Sequence, residues 1–142
     1  MKKVLVPVAE GGLDTVTLGI AKEFAADMGA QLVVVTVLPY SDSLSHPQLA
    51  HFVGLEGKAF IDVAEEVLAK AVAQLAEAGV PSVATAILKG DPASEIIDYA
   101  EKEHCDLILI HTHGMGMVRR FTVGSVTNTI VHHAGVPVLV VK

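Results

Sequence analysis

Short runs of Val, Leu and Ile alternate along this chain with stretches in which apolar residues recur every three or four positions. The run Val4 to Val8 predicts a strand, and Pro7, which has no N–H to donate, belongs near its end. A loop from Ala9 to Leu13 follows, and Asp14 is placed to cap a helix with an inward stripe of Val16, Ile20, Phe24 and Met28. Gly29 stops that helix, and Gln31 to Leu38 predicts the second strand. Tyr40 to Leu55 is polar and poorly periodic, so it reads as a long connection of the kind that usually serves function. From about Glu56 to Gly79 the spacing predicts a helix whose stripe is Phe60, Val63, Ala64, Val67, Leu68, Ala71, Val72 and Leu75, against an acidic and amide-bearing outer face. Val83 to Leu88 is the third strand. Lys89 to Pro92 turns it into a helix, with Asp91 as cap, Pro92 in the first helical position, and Ile96, Ile97 and Ala100 inward. Asp106 to Ile110 predicts a fourth strand. A glycine-bearing loop then leads to a helix through Val126, Ile130, Val131 and Ala134, and Val136 to Val141 closes the chain as a fifth strand.

Strands that alternate with helices predict an open parallel sheet, helices on both faces, and right-handed crossovers. At 142 residues this is a single domain, 1–142, long enough to bury a full core. Apolar residues make up 51% of the chain and the mean hydropathy is +0.53. That fits strands covered on both sides. No apolar run approaches the roughly 18 residues of a spanning helix, and Lys2 and Lys3 lead straight into a strand, so neither membrane nor secretory leader is expected. Ten basic against sixteen acidic residues gives a charge of −6, which argues against nucleic acid as a partner. One cysteine, Cys105, excludes an internal disulfide and fits a reducing, cytoplasmic compartment.

Candidate chemistry concentrates between His111 and Ser125. This loop joins the carboxyl end of a strand to the amino end of a helix, where unpaired N–H groups and the helix dipole favour an anion. Gly114 and Gly116 let backbone approach a phosphate, and Ser125 adds a hydroxyl. The same residues also suit an ordinary strand-to-helix connection. Arg119 offers a planar cation to phosphate, while Arg120 reads better as a solvated base. A flavodoxin-like strand order and one with the first and fourth strands adjacent both fit the pattern; only the second brings the Ala9–Leu13 loop against the 111–125 loop. His111 and His113 alternate along an extended segment, and His132 and His133 diverge by about 100° on a helix. Capping or solvated histidines are therefore expected, and no metal site is assigned. No Walker-type loop, nucleophile elbow or acidic residue within the 111–125 loop occurs, so no catalytic residue is assigned.

Gly114, nine residues, then Gly124 and Ser125, with the opening Lys3 to Val8, the Lys89–Pro92 turn and the Cys105–Ile110 strand, resembles the universal stress protein family across essentially the whole chain. The resemblance implies a Rossmann-like adenine-nucleotide-binding domain with a five-stranded sheet of order 3-2-1-4-5. It also implies a cytoplasmic homodimer paired through Val138–Val141, and a regulatory role exercised through ATP or AMP, with or without Mg2+, on a still unidentified protein partner. Family members that bind ATP carry Gly-x-x-Gly, nine residues, then Gly-Ser or Gly-Thr. Here Gly114, Gly124 and Ser125 match, and His111 replaces the first glycine. Ala9 stands where the family often has Asp. The implied cofactor site is Val8, Ala9, Val37, His111, His113, Gly114, Gly116, Arg119, Gly124, Ser125 and Val126, with backbone near Val8 and Val37 holding the base. The ring at His111 narrows the ribose pocket or replaces a lost hydrogen bond. The alternatives are a family dimer without nucleotide that acts through protein contacts, and a weak ATPase.

Overall fold

The computed structural model describes residues 2–39, 47–112 and 124–142, of which 39 and 47–59 by main chain alone. Among the described residues, five strands alternate with four helices. In chain order these are β1 (Lys3–Pro7), α1 (Thr15–Met28), β2 (Gln31–Pro39), α2 (Pro47–Glu77), β3 (Val83–Gly90), α3 (Pro92–Lys102), β4 (Leu107–His111), α4 (Ser125–His133) and β5 (Val138–Val141). The strands form one parallel sheet of order β3-β2-β1-β4-β5, the order that the family resemblance implies.

Successive strand residues point to opposite faces, and the two cores divide on that parity. Val4, Val6, Leu32, Val34, Leu107 and Leu109 pack on one face with α1 and α2. Leu5, Val33, Val35, Ile108 and Ile110 pack on the other with α3 and α4. Both faces are dry, so the strands read as unbroken apolar runs.

Pro7 has a specific consequence. In a parallel strand alternate N–H groups point to the same side, and Val8 donates to the Val35 carbonyl of β2 at 2.8 Å. The missing donor of Pro7 therefore faces β4. On that side the register runs only through Val4↔Leu107 and Leu5↔Ile108. From there to their carboxyl ends, β1 and β4 part.

Two expectations about helix faces need correction. In α1 the predicted stripe is rotated: Val16 is 54% exposed and Met28 faces solvent, whereas Thr17 and Ala21 are buried and Leu18, Ile20, Phe24 and Ala25 lie against the core. Small residues let this helix sit close to the sheet, so the buried line follows Thr17 and Ala21 instead of the largest side chains. In α2 the helix begins at Pro47, inside the segment expected to be a connection, and proline suits a first turn because its N–H would be unpaired there anyway. Ala64, Val67, Leu68, Ala71 and Leu75 are buried as predicted, but Phe60 is 50% exposed and Val63 is exposed too. The rest of the 40–55 connection, residues 40–46, lies outside the described residues.

Helix ends follow local chemistry. Asp91 accepts the Ser94 amide at 3.1 Å and the Ser94 hydroxyl at 2.9 Å, as its position predicts. Gly29 ends α1 in the left-handed region, at φ 64°. After α3 the same left-handed turn is taken by His104, at φ 53°: the Cys105 N–H reaches the Ala100 carbonyl at 2.8 Å and the His104 N–H reaches Glu101 at 3.2 Å.

Candidate functional site at the β1–β4 split

Helices that follow strands in a parallel sheet start at its carboxyl edge, so α1 and α4 both begin where β1 and β4 diverge. This is the point at which the winding reverses: α1 and α2 cover one face, α3 and α4 the other.

From the β1 side comes the turn Ala9 to Asp14. The Gly12 N–H donates to the Ala9 carbonyl at 3.2 Å, and Gly11 and Gly12 take φ of 97° and 79°. Asp14 then caps α1. One of its oxygens accepts the amides of Val16 and Thr17 at 3.1 Å each, and the other accepts the Thr17 hydroxyl. Burial pushes the Asp14 carboxyl up, but the Thr17 hydroxyl, the Thr17 and Val16 amides and the nearby His111 outweigh it and hold the group below its ordinary value. His111, at the end of β4, is thus near enough to Asp14, at the start of α1, for its charge to be felt there.

From the β4 side come His111 and Thr112. The His111 carbonyl accepts the hydroxyl of Thr127, which is fully buried, at 2.8 Å. Thr112 is tied twice: its N–H donates to Val141 at 2.8 Å, and its carbonyl accepts the Gly124 N–H at 2.7 Å. Residues 112 and 124 therefore meet, and α4 starts beside the end of β4. Gly124 occupies the cap position of α4, and among the described residues no side chain caps it. The amino end of α4, which its dipole makes positive, lies beside the end of β4.

The structure brings together Val8, Ala9, His111, Gly124, Ser125 and Val126 at this edge. Ser125 is exposed at the first turn of α4, and Val126 is half-buried against the α3–α4 core. Val37 lies further along β2, paired with Leu88 and turned to the same α3–α4 core. The amide of Val8 is engaged by the Val35 carbonyl of β2. His113, Gly114, Gly116 and Arg119 lie outside the described residues. Cys105 is buried away from the split, and burial pushes its thiol up, as suits a packing group. Two contributors escaped the sequence reading. Thr127 gives no signal except that it falls one helical step from Ile130. Gln74 was assigned to an outer face, although it stands between Ala71 and Leu75 on the buried stripe.

A doubly wound parallel sheet with its edge opened at the reversal point, and two helix amino-termini converging there, defines a Rossmann-like α/β domain. The chain belongs to the universal stress protein family, whose model matches residues 1–142. It is 34% identical over 152 aligned residues to universal stress protein MJ0531 of Methanocaldococcus jannaschii, covering 99% of this chain and 82% of that protein. Among solved structures, protein MJ0577 superposes with a TM-score of 0.82 at 26% identity, over 99% of this chain and 95% of that one. Two more distant structures share the fold. A universal stress protein in complex with cAMP is 17% identical with a TM-score of 0.69, over 99% and 96% of the two chains. The universal stress protein from Archaeoglobus fulgidus in complex with dAMP is 23% identical with a TM-score of 0.68, over 100% and 98%.

Proposed function

We propose that this chain is an adenine-nucleotide-binding regulatory protein of the cytoplasm that takes ATP or AMP, with or without Mg2+, in the β1–β4 split. The observation that carries this reading is the start of α4, which no side chain among the described residues caps and which the Gly124–Thr112 bond holds beside the end of β4. The amides and the dipole of a helix start suit phosphate. Complexes of family members with cAMP and dAMP support an adenylate as the ligand class. Gly114, Gly116, Arg119, Gly124 and Ser125 would receive phosphate, His111, His113 and Ala9 would line the sugar side, and Val8, Val37 and Val126 would enclose the base. No residue is assigned a catalytic or metal-binding role. The working form is a homodimer paired through Val138–Val141, and nucleotide binding alters a contact with a protein partner.

Titration calorimetry with ATP and with AMP, each with and without Mg2+, tests the reading. A saturable heat with either nucleotide is expected; none at millimolar concentration sinks it. One observation favours a second reading, a family dimer that works through protein contacts without nucleotide. His111 brings an imidazole to the split, close to Asp14, where the family motif has glycine. Adenylate released in stoichiometric amount when the purified protein is denatured would decide against that alternative.

A further inference from the structure

The turn that forms one wall of the split is held by more than its own hydrogen bonds. Between Ala9 and Asp14 the chain passes through two left-handed glycines, and its internal bond is the 3.2 Å contact of Gly12 to Ala9. The turn is held from α2, by a side chain 61 residues away in sequence. The Leu13 N–H donates to Gln74 Oε1 at 2.8 Å, and Gln74 Nε2 donates to the Leu13 carbonyl at 2.8 Å. Because the Leu13 amide can only donate, the orientation of the Gln74 amide is fixed by chemistry. One side chain thus satisfies both main-chain groups of Leu13, as a neighbouring strand would.

Both ends of this hook are rigid. Gln74 is flanked on α2 by Ala71 and Leu75, each 0% exposed, and the Leu13 side chain is buried in the same core. Gly12 is matched to the hook, since a Cβ there would stand 2.5 Å from Gln74 Oε1 and 3.3 Å from the Lys70 side chain. The residue after Leu13 is Asp14, which caps α1 and whose carboxyl is held down in part by the nearby His111.

We infer that Gln74 is a positioning residue for the ligand crevice: it fixes the β1–α1 turn at the height at which that turn forms a wall opposite His111 and the start of α4. The inference rests on the proposed adenylate site and adds to it a residue that touches no ligand.

The test uses the full chain as wild type, Q74L and Q74E, with AMP and ATP affinity by calorimetry and exchange of the Leu13 amide by NMR in ligand-free protein. Q74L removes both bonds at similar size; affinity is expected to weaken about tenfold, the equivalent of one or two net hydrogen bonds, and the Leu13 amide to exchange faster. Q74E keeps the acceptor, loses the donor, and sets a carboxylate against the Leu13 carbonyl. Relative to wild type at each pH, its affinity is expected to recover between about pH 8 and about pH 5, as the carboxyl gains the proton that replaces the lost donor. A side chain that only stabilises the fold would lower the melting temperature of both variants, leave the affinity of the folded fraction unchanged and show no recovery with acid. Wild-type affinity in folded Q74L and Q74E overturns the inference alone. Wild-type protein that takes up no nucleotide overturns the adenylate reading, and the inference with it.

Discussion

Asp106 receives two main-chain hydrogens on one carboxylate oxygen, from Lys2 at 2.8 Å and Lys3 at 2.9 Å, and so fastens the start of β1 to the start of β4. Those two amides, Lys2's first, hold its carboxyl below the ordinary value of 3.8, against a smaller opposing effect of burial. The unfolded chain lacks these bonds and takes up the proton more readily. The contribution of Asp106 is therefore complete above the unfolded value and is lost as pH falls through the lower folded one. In Asp106→Asn the stability at neutral pH is expected to drop, and the urea midpoint to fall less steeply between about pH 5 and about pH 3. Some acid sensitivity should remain, because Asp14 is shifted in the same direction. Parallel acid limbs in the two proteins would show that the Lys2 and Lys3 amides do not distinguish the ionised form. Residues of this kind divide by the reach of their partners. The Asp14 and Asp91 caps were legible because each partner lies two or three residues ahead. Gln74 was not, because its partner is 61 residues away, and a place on the stripe beside Ala71 and Leu75 marks a position as inward without naming what it bonds.

Among the elements, α2 combines a part that the core holds with a part that it does not. Its 31 residues, at about 1.5 Å each, extend on the order of 46 Å, well past the roughly 26 Å of an eight-residue strand such as β3. The sheet can cover only one end, and the burial follows: Leu75 is 0% exposed and Phe60 is 50% exposed. Leu75→Ala is expected to cost about 2–5 kcal/mol, since it leaves a cavity against the α1–α2 face, whereas Phe60→Ala should stay within about 0.5 kcal/mol. Urea unfolding of the two variants checks the contrast, and equal losses would mean that Phe60 is covered in solution. The sequence stripe ran evenly from Phe60 to Leu75 because periodicity records which face of a helix is apolar, not how far the sheet beneath it extends. The same limit explains α1. Its large apolar residues suggested a stripe, while the close approach of helix to sheet was set by Thr17 and Ala21.

For the molecule as a whole, periodicity was enough for the parallel α/β class, because a sheet buried on both faces leaves uniform apolar runs. It was not enough for strand order, which depends on which way each crossover turns after the strand. Order β3-β2-β1-β4-β5 leaves two edges, and β5 is the exposed one nearest the split. Val138 and Val140 of this strand pack against the α3–α4 face and Val141 enters the opposite core, but Leu139 remains 37% exposed. It points to the α1–α2 face, beyond the cover that α1 gives to β4. An apolar edge with unpaired main-chain groups is a hazard unless another strand takes it up, and a second copy of the same edge is self-complementary. Pairing of β5 with its copy would set the two Leu139 side chains near the dyad, where a pair of carboxylates would repel each other and remain unpaired. With β5 as the dimer interface proposed above, Leu139→Asp is expected to yield a monomer while leaving the far-ultraviolet circular dichroism and the adenylate affinity close to wild type, because the residue lies outside the split. Sedimentation equilibrium reads the mass directly. A wild-type chain that sediments as a monomer, or a Leu139→Asp chain that remains dimeric, removes β5 as the interface and directs the search to the exposed Phe60–Val63 stretch of α2.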